Sequence, residues 1–280
     1  MVMALNIKAI TGLYPRGFFI QWDVREATES GEYKFDVYRS GSQSGPWDLL
    51  ASGLTDRYAY VDRFDAPFDA TTEAVLRPNQ LNLFRYFVYR VVVTAPSGKT
   101  AEAVDDGQPR DEGALNDLKM NQYQRKALRD FRLSLKFNGT KCCILKRRHW
   151  GVRCDCTDKK TREIVRSSCK KCWGTGIVGG YWAPQLTYAR RNVSTNASAV
   201  TPQGKSDTND AKFWMPDYPS LECDDVVVFL RDQSRWRIDQ TVGTEIRLQQ
   251  VHQVISAQSL DRSHILYSLP VDPDVENPLL

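Results

Sequence analysis

Apolar residues recur at alternate positions through the first hundred residues. Ile20, Trp22 and Val24 alternate in this way, and so do Phe35 and Val37. A period of two marks strands that bury one face. Turn-forming residues separate the runs: Gly31, Ser40-Gly41-Ser42, Ser44-Gly45-Pro46 and Pro96-Ser97-Gly98. Further strands are predicted at 47–51, 58–62, 84–94 and 100–104, with a long loop over 65–80. Short strands at this spacing predict a β-sandwich over residues 1–106.

The pattern then changes. Residues 103–115 are polar and acidic and mark a domain boundary, and residues 107–139 read as a linker and a helix. Met120, Tyr123, Ala127, Phe131 and Leu135 step by three or four and share one helical face. That stripe is expected to pack on the adjoining β domain, or else on a neighbouring subunit. Asn138-Gly139 predicts a left-handed cap. Residues 140–280 return to a β pattern, with strands at 140–148, 185–191 and after 213. Cys142 and Cys143 are adjacent on the first of these, so they face opposite ways as small buried residues. Residues 192–212 are rich in Ser, Thr and Asn and predict a flexible loop. Residues 271–280 predict an exposed tail. The fold class is therefore mainly β: a sandwich, a linking helix, and a small C-terminal β-barrel-like domain with an inserted metal-binding loop.

The inserted loop, about 149–184, carries the candidate chemistry. It reads Cys154-Asp-Cys156, twelve residues, then Cys169-Lys-Lys-Cys172-Trp-Gly-Thr-Gly. Two close cysteine pairs across a short loop can surround one tetrahedral Zn2+, with Cys154, Cys156, Cys169 and Cys172 as ligands. Gly174 and Gly176 permit a tight turn behind the second pair. A disulfide pair or free thiols are the alternatives that these spacings leave open. His149 is a substitute ligand. An all-sulfur site keeps no position for water, so the expected role of zinc is structural. Trp150 and Trp173 flank the pairs and are expected to cap the site.

Charge adds one feature. The net charge is only +4, but eleven Lys or Arg and three acids lie between Lys141 and Lys171. Lys146, Arg147, Arg148, Arg153, Lys159, Lys160, Arg162, Arg166, Lys170 and Lys171 surround the cysteines, and such a cluster can meet nucleic acid or an acidic protein neighbour. Six of the seven cysteines lie between Cys142 and Cys172, a clustering that points to metal and to synthesis in a reducing compartment. The first ten residues lack a signal-peptide core, and no run reaches the length of a membrane span. The expectation is a soluble protein made in the cytosol.

Two stretches resemble known families. Gln21-Trp22, Phe35-Asp-Val37-Tyr38-Arg39-Ser40, Gly45-Pro46-Trp47, Leu50-Ala51 and Tyr89-Arg90-Val91 resemble a fibronectin type III domain. The resemblance makes Trp22 the core tryptophan of the second strand and points Phe87, Tyr89, Val91 and Val93 inward. Phe87 stands where that family usually has tyrosine, so the corner hydroxyl is missing. Further on, Asp224-Asp225-Val, Arg235-Trp236-Arg-Ile, Gln249-Gln250 and Tyr267-Ser-Leu-Pro270 resemble tailed-bacteriophage neck and head–tail connector proteins. That resemblance implies a small barrel in a homo-oligomeric ring between portal, adaptor and tail proteins, located in the virion and made in the host bacterial cytoplasm. Cys169-x-x-Cys172-x-Gly-x-Gly also resembles one repeat of the cysteine-rich module of DnaJ-type co-chaperones, as a single imperfect copy.

Three functions compete at this point. The first is a virion structural subunit of the collar or connector. The second is a nucleic-acid-binding protein using a basic zinc-ribbon module, with DNA in a channel as partner. The third is an enzyme, against which stand the lack of Gly-x-Ser-x-Gly, His-Glu-x-x-His or a phosphate loop and the presence of only three histidines. The expectation is no enzyme and no membrane partner.

Overall fold

The structure is a computed structural model. It describes residues 3–12, 17–27, 29–63, 87–105, 118–158, 161, 163–166, 168–192, 198–201, 204–207, 210–246 and 249–272. The chain forms two compact units. The first runs to Arg125 and includes His149–Arg153 and Leu279–Leu280; the second holds Lys126–Arg148 and Cys154–Pro278.

The first unit contains β1 (Ala4–Gly12), β2 (Gly17–Arg25), β3 (Lys34–Ser40), β4 (Asp48–Thr55), β5 (Ala59–Arg63), β6 (Val88–Thr94) and β7 (Thr100–Val104). They make two antiparallel sheets, β1-β2-β5 and β4-β3-β6-β7. The alternation in β3 and β6 translates directly into burial: Phe35 and Val37, then Tyr89, Val91 and Val93, are buried. Trp22 lies 5.2 Å from Phe35 and Phe18 meets Tyr89 edge-on at 5.9 Å, so the two sheets face each other across aromatic rings. Such rings supply a large share of a core's buried area. β2 departs from the expected half-buried strand. Phe18, Phe19, Ile20, Gln21 and Trp22 are all buried, so both of its faces are covered. A polar staple crosses between the sheets. Asp62 on β5, 3 % exposed, accepts the Tyr89 hydroxyl at 2.8 Å and the Arg39 guanidinium at 3.1 Å. Phe87 is half-buried under that same guanidinium. The expected loop at 65–80, the start of the strand at 84 and the linker from 107 lie outside the described residues.

A single helix of the described chain, α1 (Leu118–Asn138), follows. Its side chains are described from Lys126. Leu128 and Leu135 are buried, and Phe131 stacks on His252 at 4.5 Å within the second unit. Arg132 forks onto both oxygens of Asp217 at 3.0 and 2.8 Å, with the Asp217 side chain fully covered. The later half of the predicted stripe therefore seats on the C-terminal β unit. The predicted left-handed cap is not formed. Neither Asn138 nor Gly139 has a positive φ, and the Gly139 amide continues the helical pattern by donating to the Leu135 carbonyl at 2.8 Å.

The second unit contains β8 (Thr140–Leu145), β9 (Gln185–Asn192), β10 (Ser198–Thr201), β11 (Gly204–Asp207), β12 (Asp210–Pro216), β13 (Val226–Phe229), β14 (Arg235–Ile246) and β15 (Gln249–Ser259). Six of these close a barrel in the order β12-β15-β14-β13-β8-β9. Its interior holds Ile144, Phe213, Met215, Val227, Ile238 and Ile255, each fully buried. β8 and β13 are apolar on both faces because a second cluster lies against their outer side, with Leu145, Val226, Val228, Leu266 and Val271. Cys142 belongs to the inner cluster and Cys143 to the outer one, the opposite-face arrangement expected of neighbours on a strand.

Two expectations about this half need correction. Residues 192–212 are not a loop throughout: β10 and β11 pair as a hairpin and β12 begins at Asp210. The polar composition hid them, because cross-strand backbone hydrogen bonds pair the two strands whatever side chains they carry. The segment from 271 is not wholly an exposed tail either, since Val271 is buried in the outer cluster. The 3-10 turn Ile265–Ser268 leads into it, held by the Arg235 guanidinium, which donates to the carbonyls of Leu266 and Leu269.

Candidate metal centre

β8 and β9 are neighbours in the barrel, with Ile144 opposite Gln185. Residues 146–184 thus take the place of a hairpin turn. The two ends of this insert are tied together: the Trp182 amide donates to the Lys146 carbonyl at 2.9 Å, and the Arg148 amide to Gly180 at 3.0 Å.

Each cysteine pair sits on its own tight turn. After Cys154 and Cys156 the chain forms a small hairpin, with Thr157 bridged to Ile164 and the Val165 amide donating to the Cys156 carbonyl at 3.0 Å. The second pair is followed by Trp173, Gly174 and Gly176 at φ of 45°, 82° and 79°. These left-handed positions wrap the chain behind the ligands, and two are glycines, as the sequence required. The carbonyl of Cys172 accepts the Thr175 amide at 2.9 Å and its hydroxyl at 2.8 Å.

The turns bring four thiols to one point. The Sγ atoms of Cys154, Cys156, Cys169 and Cys172 all lie within 4.8 Å of one another. Cys154 and Cys169 are 3.6 Å apart, and Cys156 and Cys172 are 3.3 Å apart. A tetrahedron with Zn–S bonds of about 2.3 Å has edges of about 3.8 Å, so small shifts would seat an ion. All four are free thiols. Backbone amides of Lys171 and then Cys172 hold the Cys169 thiol down at about 7, while desolvation pushes those of Cys154 and Cys156 up. A divalent ion would convert the whole set to thiolates. The four residues can hold a metal ion, and the donor set is compatible with zinc.

The other expected participants are placed differently. His149 is exposed and is not one of the clustered ligands. Trp150 does not cap the cysteines; it is buried in the first unit, edge-on to Phe35 at 6.4 Å. Trp173 packs against the outer cluster of the barrel.

The basic residues divide into three groups. Lys146 is 3 % exposed, so it is no surface contact; its Nζ donates to Asp225 at 2.7 Å and to the Ser220 carbonyl at 2.8 Å. Arg147 pairs with Asp224, and Arg148 lies over the Trp182 ring at 4.2 Å while donating to the Tyr181 carbonyl at 2.9 Å. Arg153, Arg166, Lys170 and Lys171 line the insert itself; Arg153 and Arg166 are exposed, and Lys171 reaches Asp155 at 3.4 Å. Lys159, Lys160 and Arg162 lie outside the described residues.

Sequence reasoning missed Asp225. Its carboxylate is fully buried and also accepts the amides of Arg147 and Glu222, both at 2.8 Å. Burial pushes this carboxyl above the ordinary range, opposed by the Lys146 charge and these donors. Its signal was the acid directly before the apolar run Val226–Phe229. Val226 stands opposite Leu145, and this register carries Asp225 to Lys146.

No family model matches the chain, and a search of curated proteins finds no match. Among the described residues no helix is long and apolar enough to cross a membrane.

Proposed function

We propose that the chain is a structural virion protein of a tailed bacteriophage, a subunit of the neck, collar or head-to-tail connector ring, with Zn2+ stiffening one loop. The observation that carries this reading is the closed barrel, β12-β15-β14-β13-β8-β9, in the region whose sequence resembles connector proteins. The order β1-β2-β5 and β4-β3-β6-β7, with Trp22 buried on the second strand, supports a fibronectin type III-like reading of the first unit. In this reading that module decorates the assembly, the barrel makes the ring, and portal, adaptor or tail proteins are the neighbours. The nucleic-acid reading loses part of its footing, because Lys146 is consumed by Asp225 and Arg147 by Asp224. Arg153, Lys170 and Lys171 keep it testable.

The test is mass photometry of the purified protein, with zinc measured on the same sample. A discrete ring with about one zinc per chain is expected from a closed four-cysteine site. A monomer whose DNA affinity falls steeply with salt would replace this reading with the nucleic-acid one.

A further inference from the structure

The barrel leaves one strand half uncovered. β13 pairs with β14 only at Arg235–Arg237, and backbone bonds from Ile238 to Asp224 and Asp225 lengthen that seam by one residue. A register shift between Ile238 and Gln240 follows. An extra residue of this kind bends a strand away from its partner. From Gln240 to Ile246, β14 pairs with β15 on one side, and among the described residues no strand lies on its other side. Val242, Gly243 and Thr244 are exposed there. Free backbone groups along such an edge are a template for another strand.

The same chain carries a ribbon that has no third strand among the described residues. β10 and β11 pair with each other, Ser198 opposite Asp207 and Thr201 opposite Gly204, and with no other described strand. Their sequences, Ser-Ala-Val-Thr and Gly-Lys-Ser-Asp, contain one large apolar residue, Val200. A two-stranded ribbon this short is marginal in water, and a third strand stabilises it. The ribbon keeps nearly the register of the β9–β12 ladder, with Asn192 facing Lys212 and Ser198 facing Asp207, and β11 ends three residues before β12. It therefore adjoins the end of the barrel where Asp210 faces Gln258. The open edge of β14 runs the other way, to Ile246 opposite Gln249. The ribbon lies towards the Gln258 end of β15, whereas the exposed edge residues Val242, Gly243 and Thr244 stand beside Val254, Gln253 and His252, so within one copy the ribbon does not pair with this edge.

We propose that the β10–β11 ribbon of one copy of this chain adds to the open edge of β14 of the next, carrying the β15-β14 sheet across the subunit boundary. This rests on the ring reading above and names its contact. Main-chain hydrogen bonds supply the attraction, as in other strand additions. The two surfaces differ, so the contact is head-to-tail, the kind that forms a ring when the rotation between neighbours closes.

The experiment uses sedimentation velocity on the native chain and three variants, at a concentration where the native chain is assembled. In one, residues 198–207 are replaced by a two-glycine turn. In another the edge is blocked by proline. Successive strand residues aim their amides to opposite sides, so both Val242→Pro and Gly243→Pro are made. One blocks the open edge, the other cuts the β15 ladder, and the variant with the native melting temperature is the edge-blocked chain. Each variant alone is expected to be monomeric. An equimolar mixture is expected to form dimers and stop, because one intact ribbon meets one intact edge. A ribbon-less chain that still forms the native ring, or a mixture that forms no dimer, overturns the proposal and leaves the ring reading standing. A native chain that stays monomeric removes both.

Discussion

The barrel and its cysteine insert are covalently continuous, yet they are held together by different forces. The barrel buries Ile144, Phe213, Met215, Val227, Ile238 and Ile255 in one interior. Each such side chain contributes about 1.5–3 kcal/mol when fully buried. The insert has less apolar packing of its own: Ile177 and Trp182 are buried but Ile164 and Val165 are exposed, and its turns gather four sulfurs. The contrast teaches that one chain can place a stable scaffold and a conditional element side by side. The scaffold depends on packing, which no small molecule removes. The insert gathers four thiols that can hold a metal ion, and a chelator or acid would empty such a site.

Metal removal is the widest wedge between the two. Structural zinc is worth about 10–16 kcal/mol to small modules that fold around it. Chelation, or Cys172→Ser, is expected to abolish metal content and open the insert to trypsin at Arg166, Lys170 and Lys171. The barrel's hydrogen-exchange protection should persist. Equal loss of protection in β12 and β15 would mean that the regions are not separable.

The reverse cut comes next. Phe213→Ala removes a ring packed against Phe229 and Trp236, both at 5.2 Å, and is expected to cost about 3–5 kcal/mol of global stability by denaturant titration. Metal stoichiometry at low denaturant should not change. A variant that loses its metal while still folded would show that the barrel core governs the site.

The smallest expected effect is the residual deficit of a double variant at the seam. Asp225 and Lys146 join the barrel to the first residue of the insert, and both are buried. Removing one partner of a buried pair costs about 3–5 kcal/mol. The double variant Lys146→Met with Asp225→Leu should recover most of it, yet stay about 1–3 kcal/mol low, because the amides of Arg147 and Glu222 lose their acceptor. Denaturant midpoints of the single and double variants decide this. A double variant as weak as Asp225→Leu alone would place the whole effect on the amides.

What the sequence disclosed follows the same division. Short-range patterns were legible: alternation in β3, the helical stripe through Phe131 and Leu135, and cysteine spacing that the fold draws to within 4.8 Å. Features that depend on which strand lies beside which were not. Lys146 looked like surface charge because nothing local to it announces Asp225, which is reached only through the pairing of β8 with β13. Trp150 stands close to the cysteines in sequence, but its ring is claimed by Phe35. β2 read as half-buried because alternation cannot reveal a second covering layer over Phe19 and Gln21.

The insert's position has a kinetic consequence. β8 and β9 must find each other across residues 146–184 before the barrel can close. The entropic cost of joining chain ends grows with the logarithm of the loop length, and shortening an effective loop tenfold lowers it by about 2 kcal/mol. An insert that has already gathered its four thiolates, with Lys146 and Trp182 bonded at its base, presents the two strands as the arms of a short hairpin. If those four thiols hold an ion, the rate at which a newly made chain closes its barrel would then depend on how soon the ion binds.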